Sequence, residues 1–173
     1  SHGERRRVSA DVKNALENDT EWTFDILQLE KVTENHALVQ LGIKIFERWK
    51  VADSLSCNED ILHRWLFTVE AHYHAGNAYH NATHAADVLQ MNVVDVPEEA
   101  REDNSLTICN MLVKCADISN PTREWALCEK WAYRIVEEYF DQTREEREKG
   151  LPVTMEVFDR KTCNVPLTQC GFI

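Results

Sequence analysis

Apolar residues recur along most of the chain at intervals of three and four, the spacing that places them on one face of an α-helix. The stripes comprise Leu38, Leu41, Ile45 and Trp49; Ile61 or Leu62 with Trp65, Leu66 and Val69; Leu106, Cys109, Leu112, Val113 and Ala116; and Trp125, Cys128, Trp131, Ile135 and Tyr139. Neither strand-like alternation of useful length nor an internal repeat occurs. The pattern predicts an all-α fold, with the aromatic stripe around Trp65 in the core.

Two predicted helix starts carry a capping-box pattern, a Ser or Thr followed three residues later by Glu. Ser56 and Glu59 have this spacing before the helix that contains Leu66, and Thr143 and Glu146 have it further along the chain. The second pair predicts a short charged helix, separate from the long helix before it, that Gly150 and Pro152 terminate.

Length and charge narrow the classes of function. A chain of 173 residues with 43% hydrophobic content is expected to form one domain with a substantial core. The net charge of −11 argues against nucleic acid as a partner, because phosphate contacts need a basic face. No apolar run reaches 18 residues and no signal peptide is present, so neither a membrane span nor secretion is expected. The start at Ser1 without Met suggests an excised domain or a processed product.

The six cysteines contain no C-x-x-C pair, and several fall on apolar helical faces, where reduced thiols are common. We therefore expect free cysteines and a cytoplasmic protein, although an even count alone would permit disulfides. Near the start of the chain, Arg5, Arg6 and Arg7 precede Ser9 in the pattern of a basophilic kinase site. The same segment is equally well interpreted as a charged, frayed terminus.

Two histidines four residues apart, His80 and His84, are followed three residues later by Asp87. On a helix these positions share one face, and two histidines on one helical turn commonly hold a divalent metal ion. The alternative is a polar helix edge with two solvated histidines. An unrelated HxxxH metalloprotein is a weaker alternative, because a zinc protease needs a glutamate after the first histidine and Asn81 stands there.

The residues around these histidines resemble the first signature of the class I cyclic nucleotide phosphodiesterases. Three segments carry the resemblance in the family's order: Tyr79-His80-Asn81-Ala82-Thr83-His84-Ala85-Ala86-Asp87-Val88; Lys114-Cys115-Ala116-Asp117-Ile118-Ser119-Asn120-Pro121; and Gly150-Leu151-Pro152 with Phe158-Asp159-Arg160 and Gln169-Cys170-Gly171-Phe172-Ile173. It spans nearly the whole chain except residues 91–103. Residues 11–14, 22–26 and 157–160 most resemble the high-affinity, cAMP-specific eighth subfamily.

The resemblance implies a compact multi-helix phosphodiesterase catalytic domain that hydrolyses cAMP to 5′-AMP. A hydroxide bridging Zn²⁺ and Mg²⁺, or Mn²⁺, would attack the phosphorus, and a histidine would protonate the leaving 3′ oxygen. By this resemblance His80 is the general acid, and His84 and Asp117 are metal ligands. Asp87 would orient a ligand. Without the resemblance, Asp117 is as well interpreted as a helix cap.

The resemblance also implies a pocket for the purine base. Gln169 would read the base edge, and Ile135 and Phe172 would sandwich the ring. Asn120 would make a second contact to adenine, and Tyr79 would form a wall. In isolation Gln169 would be a surface amide, and Ile135 and Phe172 would be core residues. An amide of this kind can read either adenine or guanine, so the sequence does not decide between cAMP and cGMP.

One segment of the family pattern is missing. A His-Asp pair that supplies two further metal ligands should lie between the first signature and Asp117, yet only 33 residues separate Asp117 from His84. The nearest candidate, Asp95, follows a valine. We therefore predict a partial catalytic domain over residues 1–173, with a polar basic terminus at 1–15, N-terminal helices at 16–90, a join at 91–104 and C-terminal helices at 105–173.

Three competing explanations account for such a join. The sequence is a splice form or partial gene model, a middle segment has been omitted from it, or it is a natural shortened binding protein. Two ligands do not complete a catalytic zinc site, so we expect little or no turnover from these 173 residues alone. The alternative function is a non-catalytic interaction or weak nucleotide-binding module. Helix faces that a longer domain would cover are expected to favour self-association.

Overall fold

Helices form nearly all the regular structure of the computed structural model, which describes residues 9–94, 113 and 115–171, except the side chains of 92–94. The helices are α1 (Ala10–Ala15), α2 (Ile26–Val32), α3 (Ala37–Arg48), α4 (Val51–Ser54), α5 (Glu59–Ala71), α6 (Ala82–Val94), α7 (Trp125–Glu148) and α8 (Val165–Cys170), with 3₁₀ turns at Asn120–Thr122 and Glu156–Phe158. These ranges contain no β-strand, so the all-α prediction is confirmed. None of their helices is both long and apolar enough to cross a bilayer.

The chain divides into two compact units. The first unit contains α1 to α6, and the second contains residues 74–81 together with both 3₁₀ turns, α7 and α8. The stripe from Leu106 to Ala116 lies largely outside the described residues.

Helix α3 is the centre of the first unit and packs against both α5 and α6. Leu38, Leu41 and Ile45 of its predicted stripe are buried, as the spacing of three and four requires. The fourth member, Trp49, is 39% exposed because the helix ends one residue before it, so its place in the stripe is wrong. Gly42 allows α5 to approach closely, since a Cβ atom at this position would lie 2.8 Å from Cδ2 of Leu66. A larger residue at position 42 would therefore displace Leu66 from its packed position.

Buried polar groups of the first unit bind one another. The carboxylate of Asp19 is almost fully buried and accepts hydrogen bonds from Nζ of Lys44 at 2.8 Å and from Nη2 of Arg48 at 2.6 Å. Nε2 of Gln90 donates to the backbone carbonyls of Asp19 at 3.1 Å and Glu21 at 3.0 Å. These bonds attach the α1–α2 connection to α3 and α6, and they satisfy groups that would otherwise be costly to bury.

The second unit is built on α7, a continuous helix of 24 residues. Its apolar side buries Trp131 and Val136, and the ring of Tyr139 packs on Phe158 with 4.7 Å between centroids. Gly150, with φ of +67°, ends the helix, since its N–H donates to the carbonyl of Arg147 and the next N–H donates to the carbonyl of Glu146. This pair of bonds is a Schellman motif, so Gly150 has the predicted role of a helix terminator.

Both predicted capping boxes are wrong. Helix α5 is capped by Asn58, whose Oδ1 accepts the N–H of Asp60 at 2.7 Å, while Ser56 lies outside the helix with φ of +50°. Thr143 lies buried inside α7 and does not begin a helix. The segment predicted as a separate charged helix therefore continues α7.

The prediction that Trp65 belongs to the core is also wrong. Helix α5 buries Leu62 and Leu66. Of the two residues that the sequence offered for this buried position, Ile61 and Leu62, it is therefore Leu62 that is buried. Trp65 is 53% exposed on the other side, next to exposed Ile61, and its ring stacks on Phe46 at 6.2 Å between centroids. An apolar strip thus remains on the surface of α5.

Candidate functional site

Residues 77–81 form a hydrogen-bonded turn that ends where α6 begins. Nδ2 of Asn77 donates to the carbonyl of His80 at 3.1 Å, and Nδ2 of Asn81 donates to the carbonyl of Asn77 at 3.0 Å. Because α6 begins at Ala82, His80 precedes the helix. The prediction that His80, His84 and Asp87 share one helical face is therefore wrong.

A carboxylate from α7 holds His80 in position. Oε2 of Glu138 accepts the backbone N–H groups of Tyr79 and His80, each at 2.8 Å, and Oε1 lies 2.7 Å from Nδ1 of the His80 ring. The ring nitrogen facing this carboxylate is the one that carries a hydrogen, which fixes both the tautomer and the ring orientation. Glu138 thus binds the backbone and the side chain of the same turn.

The electrostatics of Glu138 follow from these contacts. Burial alone would raise its pKa, but the hydrogen bonds from the His80 side chain and from the backbone of His80 and Tyr79 outweigh burial and hold the pKa below the ordinary value of 4.5. Burial, and then the negative charge of Glu138, raise the pKa of nearby Tyr139. Glu138 is therefore an anion and Tyr139 a neutral phenol at neutral pH.

Tyr79 forms a fixed wall beside this histidine. Its ring meets the buried ring of Trp131 edge to face, with 5.3 Å between centroids and 72° between planes. Its hydroxyl accepts a hydrogen bond from Nδ2 of Asn120. The contact with Trp131 fixes the ring of Tyr79, and the bond from Asn120 fixes its hydroxyl.

The second unit contains a cavity of about 340 Å³, all of whose lining residues belong to that unit. This volume falls within the usual range for small-molecule pockets. Six of the eight predicted site residues line it: Tyr79, His80, Asp117, Asn120, Ile135 and Gln169. Apolar surface from Trp131 and Tyr139 surrounds a few polar groups, which suits a flat heteroaromatic ligand.

Gln169 contributes a shielded amide nitrogen to the lining of the cavity. Its Nε2 atom is shielded from solvent, and no hydrogen-bond partner for it exists in the described part of the chain. Most buried polar atoms in folded proteins are paired, so an amide in this state points to an acceptor that a bound ligand supplies.

One predicted residue does not line this cavity, and another lies outside the described residues. His84 lies on α6 in the first unit and is not among the lining residues. Phe172 and the weak candidate Asp95 lie outside the described residues, as does most of the predicted join at 91–104. The meeting of His84 and Asp117 around one metal ion stays a prediction.

The described residues do not fit a complete metal centre. No three His, Cys, Asp or Glu side chains of residues 9–91, 113 and 115–171 come together as ligands. A catalytic zinc ion normally takes three protein ligands, and a two-metal site needs more. The donor set of this part of the chain thus falls short of the predicted zinc and magnesium pair.

The residues that sequence reasoning missed lie on one face of α7. The sequence alone does not single out Glu138, and it places Trp131 and Tyr139 only on the apolar stripe of a long helix. Counted from Trp131, positions i, i+4, i+7 and i+8 hold Trp131, Ile135, Glu138 and Tyr139, which share one side of a helix. A carboxylate on the same helical face as Ile135 was the signal that could have identified Glu138.

Comparison with known proteins gives a consistent result. The family model described as 3'5'-cyclic nucleotide phosphodiesterase matches residues 94–173. The chain is 47% identical to the probable 3',5'-cyclic phosphodiesterase pde-6 of Caenorhabditis elegans, an alignment that covers 100% of the chain and 38% of that protein. It is 28% identical to the human high affinity cAMP-specific and IBMX-insensitive 3',5'-cyclic phosphodiesterase 8A, over 94% of the chain and 36% of that protein. It is 27% identical to the Drosophila melanogaster phosphodiesterase 8 of the same description, over 94% of the chain and 31% of that protein.

The chain thus spans about a third of the length of these curated relatives. The alignment with the worm protein extends over 290 positions and exceeds the 173 residues of the chain by 117. Those 117 positions have no counterpart in this chain. The match to the family model begins at residue 94, inside the predicted join.

Proposed function

Because this chain belongs to the 3'5'-cyclic nucleotide phosphodiesterase family, we propose that the complete protein hydrolyses cAMP to 5′-AMP and that the cavity of the second unit holds the purine base. The observation that carries the proposal is the gathering of Tyr79, His80, Asp117, Asn120, Ile135 and Gln169 around one cavity. The preference for cAMP is supported by the names of the human and fly relatives, which call them cAMP-specific.

In this proposal the base lies between apolar surfaces, with Ile135 on one side and Phe172 on the other. Nε2 of Gln169 donates to a ring nitrogen of adenine, which supplies the acceptor that the described residues lack. Because Nδ2 of Asn120 is engaged by Tyr79, its carbonyl oxygen is the atom that accepts from the exocyclic amine of adenine. Guanine presents a carbonyl at that position, so this orientation of Asn120 supports the choice of cAMP.

The proton-transfer step is assigned to His80. With Nδ1–H donated to Glu138, the imidazolium form of His80 delivers its second proton, the one on Nε2, to the leaving 3′ oxygen and remains as the neutral imidazole protonated on Nδ1. Glu138 does not contact the reacting atoms in this scheme, and its role is to position His80. Removal of Glu138 would therefore leave the acid present but poorly oriented.

We assign no step to a metal ion on this chain, since its described residues do not complete a metal centre. The proposal assigns the missing ligands to the 117 positions that the worm relative has and this chain lacks. In that view residues 91–104 are the join where those positions belong. We accordingly predict little or no turnover from the 173 residues as they stand.

A reconstruction experiment tests both parts of the proposal. The 117 unmatched positions, taken from the worm relative, are inserted at residues 91–104, and steady-state hydrolysis of cAMP and cGMP is measured with zinc and magnesium. The restored chain is expected to hydrolyse cAMP in preference to cGMP, while the 173-residue chain does not. Turnover by the short chain at the restored rate would contradict the predicted gap, and an inactive, folded restored chain would contradict the proposed function.

His80→Asn in the restored chain serves as the matched control. It is expected to lower kcat by about 100-fold or more, the usual contribution of a general acid, with little change in the affinity for cAMP. A loss of affinity without a loss of kcat would remove His80 from the acid role.

We also propose that the short chain self-associates through α5 and is cytoplasmic. Ile61 and Trp65 are exposed one turn apart on α5, and such an apolar strip favours burial against a second copy. The five cysteines in the described part, Cys57, Cys115, Cys128, Cys163 and Cys170, are free thiols, which suits a reducing compartment. Light scattering after size exclusion is expected to give a dimer that Trp65→Glu converts to monomer, and a monomeric parent chain would refute the association.

A further inference from the structure

A thiol lies among the residues that line the cavity of the second unit. Cys128 is a free cysteine on α7, and it lines the cavity together with Trp131, Ala132 and Ile135. These three residues follow Cys128 at i+3, i+4 and i+7, which is the spacing of one helical face. The side of α7 that forms the apolar wall therefore also presents a sulfur nucleophile to the cavity.

The other cysteines that the structure describes differ from Cys128 in position. Cys57 and Cys115 belong to the first unit, whereas Cys163 and Cys170 belong to the second unit but are not among the lining residues. Cys163 is half-buried, as Cys128 is, so these two thiols differ mainly in what surrounds them. A reagent that enters the cavity would therefore meet Cys128 and none of the other four.

A second feature of the same cavity points to a ligand that carries a carbonyl group. Nε2 of Gln169, also in the lining, is shielded from solvent and has no acceptor within the described residues. A bound carbonyl oxygen would supply that acceptor, and the rings of Trp131 and Tyr139 suit a flat molecule. A donor and a nucleophile that face one cavity favour addition to an unsaturated carbonyl compound, because a hydrogen bond to the oxygen stabilises the negative charge that develops there.

From these observations we propose that Cys128 is a modification site for small, flat α,β-unsaturated carbonyl compounds that enter the cavity. The sulfur adds as a thiolate to the β-carbon, and the electron pair of the carbon–carbon double bond moves towards the carbonyl oxygen, to which Gln169 donates. The α-carbon then takes a proton from water in place of the one that the thiol released. The net reaction adds S–H across the double bond, so no oxidant, reductant or leaving group is needed.

The adduct at Cys128 would occupy space that the cavity needs for another ligand. It fills part of about 340 Å³ and uses the donor of Gln169. We therefore expect the modified chain to lose affinity for adenosine, a consequence that rests on the proposed function. The modification itself does not depend on hydrolysis of cAMP or on any metal ion.

The first test treats the full chain with N-ethylmaleimide, a flat α,β-unsaturated carbonyl compound, and follows each cysteine-containing peptide by mass spectrometry. Cys128 is expected to react about tenfold faster than Cys163, the matched half-buried thiol outside the cavity. A maleimide attached to a polyethylene glycol chain is too large to enter, so it should label exposed Cys170 and not Cys128. Equal rates at Cys128 and Cys163, or ready labelling of Cys128 by the large reagent, would overturn the proposal.

Two substitutions separate the cavity from the reactivity of the thiol. Ala132→Leu adds volume to the cavity one helical turn from Cys128, and Gln169→Leu removes the donor at similar volume. Each is expected to slow the labelling of Cys128 by about tenfold and to leave that of Cys163 unchanged, while circular dichroism confirms the fold. An unchanged rate at Cys128 in Ala132→Leu would overturn entry through the cavity, and one in Gln169→Leu would overturn the role of the amide.

Adenosine distinguishes this inference from the proposed function. Saturating adenosine should protect Cys128 from N-ethylmaleimide but not Cys163, and the labelled chain should bind adenosine about tenfold more weakly in calorimetry. Selective labelling of Cys128 without protection by adenosine would support the modification site and contradict the purine cavity. Normal binding of adenosine without selective labelling of Cys128 would overturn the modification site and support the purine cavity.

Discussion

Two glutamines, one in each unit, show how differently the units use buried polar groups. Nε2 of Gln90 in the first unit donates to two backbone carbonyls, those of Asp19 and Glu21. Nε2 of Gln169 in the second unit is equally shielded from solvent but has no partner in the described part of the chain. The amide of Gln90 is satisfied within its own unit, whereas that of Gln169 has an unmet hydrogen bond among the described residues.

The same contrast extends to carboxylates. Asp19 in the first unit binds the charged ends of Lys44 and Arg48 and joins the α1–α2 connection to α3. Glu138 in the second unit binds the turn that presents His80 to the cavity. Polar burial thus serves packing in the first unit and a binding cavity in the second, and substitutions can separate the two uses.

The largest effect on stability is expected from Gln90→Leu. Leucine has a similar volume but leaves the carbonyls of Asp19 and Glu21 without their donor, so we expect the free energy of unfolding to fall by about 2–3 kcal/mol. Urea denaturation followed by tryptophan fluorescence measures it. An unchanged midpoint would mean that the amide of Gln90 is not a structural tie.

An intermediate effect is expected from Glu138→Gln, because an amide can accept through one oxygen only and carries no charge. We expect a loss of about 1 kcal/mol at neutral pH, together with weaker presentation of His80. Glu129→Gln, an exposed substitution on the same helix, controls for the removal of one charge.

The effect of Glu138→Gln should depend on pH in a defined direction. Since the folded-state pKa of Glu138 lies below its ordinary value of 4.5, folding favours the ionised form. Its stabilising contribution is therefore complete above 4.5 and is lost as the pH falls through the folded-state pKa. The difference in unfolding free energy between the parent chain and the variant should shrink on acidification, and a difference that grows would reverse the assignment.

The smallest effect on stability is expected from Gln169→Leu, the counterpart of the first substitution. The amide nitrogen makes no hydrogen bond within the described residues, so the free energy of unfolding should change by no more than about 0.5 kcal/mol. Affinity for adenosine, measured by calorimetry, should fall by about tenfold with the loss of one hydrogen bond. If both glutamine variants destabilise the chain equally, the distinction between the units fails.

The sequence predicted the helices well because local spacing determines them, and it failed where two local patterns compete. Helix α5 has two apolar stripes, Ile61 with Trp65 and Leu62 with Leu66, and only the packing of α3 through Gly42 selects the second. The N-cap of α5 is Asn58 and not Ser56, because Asn caps helices as well as Ser does and Asn58 lies directly before the first helical residue.

The cavity shows the same limit. The resemblance to a family supplied six of its lining residues in advance, but Glu138 depends on a contact between segments 58 residues apart in the sequence. The helix start predicted at Thr143 is wrong because α7 continues through this residue. The charged residues that follow have high helix propensity, and no helix breaker lies among them. Long-range contacts and helix length, more than residue type, were the missing information.

The unbroken course of α7 makes the cavity sensitive to changes in chain length. Trp131 and Glu138 are seven residues apart on one rod, which fixes them about 10 Å from each other along its axis. Inserting or deleting one residue between them would rotate one relative to the other by about 100° and turn either the aromatic wall or the histidine-binding carboxylate outward. The stretch between those two positions must therefore keep its register for the cavity to keep both walls.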